Sequence, residues 1–367
     1  MLLSQETQKE KFDFTQVQTP YLFNYRKNCS QAKSIINFTG LNALKIRGQL
    51  DGNYLQQNLE HPYESTSSTK HDLYLNAGLL LEWKLSKNSK LSFTSAKQAT
   101  PLAPQYLHRA RILLDSRTAQ SNQPSLDLQH SWSNSLQFTH HNFFTQNSQN
   151  FSLNYQESRN TLFSSQEIDS LFTIFTFYQL PLTRRSVTFS ASQSILINPL
   201  SNLLSLGFNS KMDWYYNQLN NGPIAEIFSR QSSCSVALSS AFKGLFNYRV
   251  NANLIFNQAK QGELPSYNLR MVIAEVVTHF KISKNTSLRW TVNAILPEEI
   301  ENLDNQLFFD CMLQHRILKR RMELFLMARN VFNRSEFLQI KTTEFSRSVI
   351  ATSLFEPFAV LGISLSL

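Results

Sequence analysis

The stretch FNYRVNANLIF, residues 246–256, alternates over its first nine positions. Phe246, Tyr248, Val250, Ala252, Leu254 and Phe256 hold the even positions, and Asn247, Arg249, Asn251 and Asn253 the odd ones. Successive side chains of a strand point to opposite faces, whereas a helix returns to one face every 3.6 residues. A period of two therefore predicts a β-strand with one greasy side and one wet side.

The pattern recurs along the chain. In residues 42–54, Leu44, Ile46, Leu50 and Tyr54 oppose Lys45, Arg47, Gln49, Asp51 and Asn53. In residues 72–86, Leu73, Leu75, Ala77, Leu79, Leu81, Trp83 and Leu85 oppose Tyr74, Asn76, Glu82, Lys84 and Ser86. Phe151, Leu153 and Tyr155 alternate with Ser152, Asn154 and Gln156; Val187, Phe189 and Ala191 with Thr188, Ser190 and Ser192. Leu288, Trp290, Val292 and Ala294 face away from Arg289, Thr291 and Asn293, and residues 271–282 repeat the idea. Ala359, Leu361, Ile363, Leu365 and Leu367 carry it to the last residue. Roughly 13 to 15 segments are expected, each of about 9 to 14 residues. That exceeds the usual strand of about five or six and suits the 9–11 residues with which a tilted strand crosses a bilayer.

Connections alternate in length over much of the chain. Short polar turns fall at 86–90, 145–149, 242–245, 283–287 and 318–321, and longer pieces at 99–124, 257–266 and 296–306. Short turns on one side and long loops on the other are how outer-membrane barrels are connected. The alternation loses phase between about 197 and 230. Residues 1–33 lack clean alternation and are expected to form an N-terminal arm or partial strand, with one barrel domain over 34–367.

Composition narrows the possibilities. The chain of 367 residues is 42% hydrophobic and 17% charged, with 28 Phe and 9 Gly. The charged share is below the roughly 25% of soluble domains, and about 7% Gly would be ordinary. The turns must use Asn, Ser and Lys. The net charge of +9 is dispersed without a basic block or a nucleic-acid module, so no nucleic-acid partner is expected. Cys29, Cys234 and Cys311 are too few for a disulfide framework or zinc site. Cys29 follows no apolar run and is not read as a lipid attachment site. The N-terminus lacks the apolar core of a secretory signal, and no stretch reaches the roughly 20 apolar residues of a spanning helix.

A soluble sandwich also alternates, with its apolar side inward instead of toward lipid. Three features favour the barrel: strand length; aromatics near strand ends (Trp83, Trp214, Tyr215, Tyr216 and Trp290), suited to an interfacial girdle; and a terminal strand that needs a partner to leave no edge. If the barrel holds, Phe246, Val250 and Leu254 lie bare instead of beneath a second layer.

Candidate chemistry is thin. Glu298, Glu299, Glu301 and Asp304 could hold a hard cation, but read first as a solvated loop. His140 and His141 are adjacent on a strand and point apart, against a shared metal. Lys45, Arg47, Arg249 and Arg289 lie on polar faces and would attract anions if those faces line a lumen; ordinary pairing is the simpler reading. Lys319, Arg320 and Arg321 form a turn that anionic head groups could meet, though a solvated turn suffices. There is no glycine-rich phosphate loop and no motif-anchored nucleophile and base. No catalytic, cofactor-binding or metal residue is assigned, no cofactor is expected, and the chain is not read as an enzyme.

Two stretches carry a family resemblance. MELFLMARNVFNRSEF (322–337), with Asn330-Val331-Phe332-Asn333, followed by EPFAVLGISLSL (356–367), resembles the final strands of Bacteroidetes-type TonB-dependent outer-membrane receptors. Residues 90–140 are similar to the same family's strand, Pro-containing loop, Asn-x-Pro-x-Leu element (Asn122, Pro124, Leu126) and next strand. The resemblance spans about residues 40–367 as a diffuse pattern. It implies an all-β, antiparallel transmembrane β-barrel receptor in the cell outer membrane, taking up a bulky nutrient such as a metal chelate, glycan or peptide through the TonB system. In that family a signal peptide and plug precede a barrel of about 22 strands. Neither is visible here, and the last residue is Leu367 where the family favours an aromatic. The chain is thus expected to be the C-terminal two-thirds of such a barrel. The alternative is a truncated or diverged barrel with a structural or binding role and no active transport. A soluble β-rich enzyme would need converging carboxylates that the sequence does not present.

Overall fold

The computed structural model describes residues 4–12, 24–41, 43–61, 66–107, 111–114, 116–123, 125–169, 172–197, 201–240, 244–262, 267–298, 305–317, 322–342 and 347–365. The chain opens with β1 (Ser4–Phe12), β2 (Asn24–Leu41), β3 (Leu44–His61), β4 (Thr66–Lys84) and β5 (Ser89–Thr100). A 3-10 turn (Pro104–Tyr106) and the short strands β6 (Ile112–Leu113) and β7 (Thr118–Asn122) follow. Next come β8 (Gln129–Asn142), β9 (Asn147–Arg159), β10 (Leu162–Ile168), β11 (Thr173–Gln179) and β12 (Thr183–Ile197). β13 (Asn202–Leu219), β14 (Ala225–Ser240), β15 (Phe246–Gln261), β16 (Tyr267–Lys281) and β17 (Thr286–Glu298) continue the series. It ends with β18 (Gln306–Ile317), β19 (Met322–Arg329), β20 (Glu336–Thr342), β21 (Arg347–Ser353) and β22 (Phe358–Leu365).

The chain is all-β and mainly antiparallel, as the alternation predicts. Among the described residues no helix is long and apolar enough to cross a membrane, which says nothing about strands. Two units are distinguished by their internal contacts. The first comprises 1–138, 152–188 and 213–228; the second, 139–151, 189–212 and 229–367.

In the first unit β1 through β5 pair in chain order. Register places Leu44 opposite Trp83, Ile46 opposite Leu81, Leu50 opposite Ala77 and Tyr54 opposite Leu73. Leu81 in turn meets Phe93, and Trp83 meets Leu91. Direct partners in an antiparallel pair share a face, so the alternation of each strand adds up to one greasy side. That side is bare: Leu50, Tyr54, Leu73, Leu75, Leu79 and Trp83 are all exposed. The amide of Lys84 donates to Ala43 O at 2.7 Å, tying the β4 end to the residue before β3.

In the second unit β15, β16, β17, β18, β19 and β22 pair consecutively. One apolar row crosses them all: Phe246, Phe280, Leu288, Leu313, Leu326 and Leu361. Phe246, Val250 and Leu254 expose 36%, 38% and 48% of their surface, so the bare belt expected of them is present. The opposite side carries the row Asn251, Glu275 and Asn293, with Asn251 Nδ2 donating to Glu275 Oε2 at 2.9 Å. Gly362 lies beneath the Phe325 ring; a Cβ there would sit 2.2 Å from Cζ, so the ring occupies the space a side chain would take.

Turns use the residues that glycine scarcity leaves. Gln146, Asn160, Ser201, Asn220, Asn221, Asn330 and Asn333 adopt φ between 47° and 56°, a region that Asn tolerates better than most side chains. Asn330 shows why. Its Oδ1 accepts from the Arg334 amide at 2.9 Å, while Nδ2 donates to Arg334 O and Phe355 O at 2.7 and 2.9 Å. The Asn-Val-Phe-Asn element is a side-chain-closed turn after β19, with Phe332 packed on Phe309 at 5.6 Å.

Candidate functional site

The segment after β5, expected as a plain loop, is built. Pro101 and Pro104 lack the amide that would continue the strand ladder. Pro104 instead opens the 3-10 turn, whose closure is Tyr106 N to Ala103 O at 3.0 Å and Leu107 N to Pro104 O at 2.9 Å. The turn sets Leu102 and Leu107 against Tyr25, Leu59 and Leu126 in one buried cluster. Beside it Leu55, Ala99 and Leu128 form a second, with Cys29 and Tyr74 packed against it. Leu107 is fully buried, and such burial contributes roughly 1.5–3 kcal/mol per leucine. Leu55 and Leu59 sit in β3 on the same parity as Asp51, Asn53 and Gln57. The cluster therefore covers the polar side of β2–β4, away from the bare belt.

Polar contacts hold the segment down. Gln57, 1% exposed, accepts from the Tyr25 hydroxyl at 2.9 Å and donates from Nε2 to Leu126 O at 2.8 Å. Asp127 pairs with Lys70, whose Nζ is also 3.7 Å from Asp72. Ser125 Oγ donates to Asp127 Oδ2 at 2.8 Å and accepts from the Asp127 amide at 3.1 Å. The Lys70 contact first, then the Ser125 hydrogen bond, hold the Asp127 carboxyl below its usual range despite some opposing desolvation. Asn122 is buried and donates from Nδ2 to Gln105 O at 3.3 Å.

A small sheet continues from this segment. β6 pairs antiparallel with β7, and β7 pairs parallel with β11 from Thr118–Thr173 to Asn122–Phe177. β11 pairs antiparallel with β10, which meets β13 in a short parallel bridge at Ser165 and Gln166. Tyr106 packs on Phe177 at 5.6 Å, and Gln179 Nε2 donates to Asp127 O and Asn160 O, both at 3.2 Å. The result is a folded block, built on the segment 101–128 and extended by β10 and β11, against the polar side of β2–β4. Next to it Asp51 is 7% exposed; Oδ2 accepts from Gln49 at 2.7 Å and Oδ1 has no protein partner. An acceptor-rich polar face of this kind can hydrogen-bond a solute.

The predicted residues fare differently. Arg249 Nε donates to Asn251 Oδ1 at 3.3 Å and so joins the Asn251–Glu275 row. Arg289 stands opposite His279 on the same side. Lys45 faces Glu82, which is engaged by Lys90; Arg47 lies on the same side of β3. His140 and His141 are consecutive in β8, and the His141 ring meets Phe143 edge-on at 5.7 Å. Among the described residues no three His, Cys, Asp or Glu gather as metal ligands. Of the acidic cluster only Glu298, at the end of β17, is described; Glu299, Glu301 and Asp304 lie outside the described residues, as do Pro124, Lys319, Arg320, Arg321 and Leu367. Asn122 and Leu126 are both buried within the block. Trp83 and Trp290 are exposed, Trp214 packs on Phe228 at 5.3 Å, and Tyr215 sits beneath Arg184. The three cysteines are free. Gln57, Tyr25, Lys70 and Asp127 escaped the sequence reading; the available signal was Leu55 and Leu59 on the polar parity.

No family model and no curated protein matches the chain. Solved structures it resembles include the alcaligin outer membrane receptor FauA from Bordetella pertussis: 12% identity, TM-score 0.42, 95% of this chain and 57% of that one. The copper transporter OprC gives 11% identity, TM-score 0.47, and 95% and 58% coverage. The ferric-catecholate import receptor Fiu from E. coli K12 gives 7%, 0.34, and 94% and 63%. The chain spans about three fifths of the length of these structures.

Proposed function

We propose that the chain forms the membrane-spanning wall of an outer-membrane β-barrel, and that it acts as a receptor in TonB-dependent uptake of a bulky solute such as a metal chelate, glycan or peptide. One observation carries the proposal: the apolar faces of the long strands are bare, while within the first unit the polar face of β2–β4 bears the protein's own folded block. In a soluble sandwich the apolar face would be the covered one. Lipid on the bare side supplies the missing cover, and the polar side then borders an aqueous interior. Asn330–Asn333 and the strand after it support the receptor family through the sequence resemblance. The block of residues 101–128 specifically favours a second reading, a binding barrel without active transport, because it occupies the side on which a solute would pass.

The test is reconstitution in phosphatidylcholine vesicles. The folded chain should float with the vesicles and migrate differently on gels before and after heating. Cys234 is exposed in β14 and shares parity with exposed Val236; it should react with a lipid-soluble maleimide and resist a charged one until the protein is denatured. Solubility without detergent, or ready reaction of Cys234 with the charged reagent, would refute the membrane assignment. Solute uptake that persists without inner-membrane energy coupling would favour the second reading.

A further inference from the structure

Within the first unit the bare side changes chemistry toward the ends of β5, β8, β9 and β12, where β5 pairs with β8 and β9 with β12. Leu136 and Leu153 are exposed on it. Next along the strands, the Trp132 and Tyr155 rings meet edge to face at 6.0 Å, and Trp132 Nε1 donates to Ser95 Oγ at 3.4 Å. Beyond the aromatic pair come charges. Lys97 is on this side because its partner is Ala77; His130 shares parity with Trp132, and Glu157 and Arg159 with Tyr155.

Lys97, His130, Trp132, Glu157, Arg159 and Asn160 line a concavity of about 500 Å³. Among the described residues that line it, Glu157 is the single carboxylate. It accepts from Tyr155 at 2.9 Å and from Arg159 Nε and Nη2 at 3.1 and 3.0 Å, with Arg185 Nε 3.7 Å away. Lys97, Arg159 and Arg185 thus bring three positive charges to one negative. The arginine side chains remain 68% and 60% exposed, leaving donors free to turn outward. Surplus cations just beyond an apolar band and an aromatic pair match the depth of lipid phosphates, where each favours anionic lipid by about 1 kcal/mol.

We propose that this concavity seats the phosphate head group of an anionic membrane lipid, whose acyl chains run down over Trp132, Leu136 and Leu153. The geometry of an arginine fork suits a phosphate oxygen pair, and Trp132 supplies the amphipathic edge between head group and chain. The proposal rests on the bare side facing lipid.

The test uses full-length protein from vesicles of phosphatidylcholine doped with phosphatidylglycerol, released into mild detergent and examined by native mass spectrometry for retained lipid. The unmodified protein should hold phosphatidylglycerol preferentially. The triple variant Lys97→Gln, Arg159→Gln, Arg185→Gln should lose that retention by about fivefold per charge removed, with Lys97→Gln alone as the milder version should the triple variant fail to fold. Glu157→Gln, which removes the competing anion, should increase it. Equal retention by the triple variant, equal retention of both lipids by the unmodified protein, or displacement of the lipid by an equal concentration of inorganic phosphate would each overturn the assignment. Failure of the unmodified protein to float with vesicles at all is a separate outcome, and it would instead refute the membrane reading beneath it.

Discussion

Gln57 binds the Tyr25 hydroxyl with one end of its amide and the Leu126 carbonyl with the other, so a single buried side chain joins β2, β3 and the folded block. Replacing it with leucine keeps the bulk and removes both partners, at about 1–3 kcal/mol for each buried group left unsatisfied. Gln57→Leu is expected to lower the urea midpoint in detergent micelles and to admit protease to residues 101–128; an unchanged midpoint and intact segment would contradict this role. Asp127 makes the outer fastening, and its carboxyl is held low by Lys70 and then Ser125. A depressed carboxylate contributes stability that is present above its unfolded pKa, about 3.9, and is lost as pH falls through the lower folded value. Cleavage near residues 125–128 should therefore rise below about pH 4, and Asp127→Asn should abolish that acid dependence while loosening the segment at neutral pH. Since the pair is solvent-accessible, the effect belongs to this fastening and not to the whole fold.

At the scale of the strand, the two faces have opposite tolerance for charge. Leu254→Arg places a cation on the bare side of β15, where arginine near the middle of a bilayer costs about 2–4 kcal/mol. Asn293→Arg places the same charge on the polar side of β17, beside Glu275. The first variant should lose much of its folded, heat-modifiable form in phosphatidylcholine vesicles, and the second should keep it. Equal behaviour would mean that neither face meets hydrocarbon. The strands themselves were legible because period two survives any partner: Phe246, Val250 and Leu254 declare a face before their neighbours are known. Register then follows, since a slip by one residue would mix the faces. The folded block was not legible. Leu102, Leu107 and Leu126 obey no period, being brought together by Pro104 and by strand pairings distant in sequence, such as Asn122 with Phe177. The candidate site was equally hidden, because Gln57 and Lys70 acquire meaning only once Leu126 and Asp127 arrive beside them.

Across the molecule, the long strands and the small sheet are joined by different rules. β2 to β5, and β15 to β19, pair with the next strand in the chain, so each contact closes a short loop. The parallel bridges from β7 to β11 and from β10 to β13 need a crossover, for parallel neighbours cannot be linked by a tight turn. Contacts between distant positions form slowly, since chain closure must precede the contacts that reward it. The architecture thus implies a chronology. In pulse-labelled hydrogen exchange during refolding into detergent, the amides of β3 and β16 are expected to be protected first. Those of Gln123 and Thr173, which donate to Phe177 O and Arg117 O, should follow; simultaneous protection would contradict the order. Nascent chains would then meet their surroundings as a finished ribbon whose second layer has yet to dock.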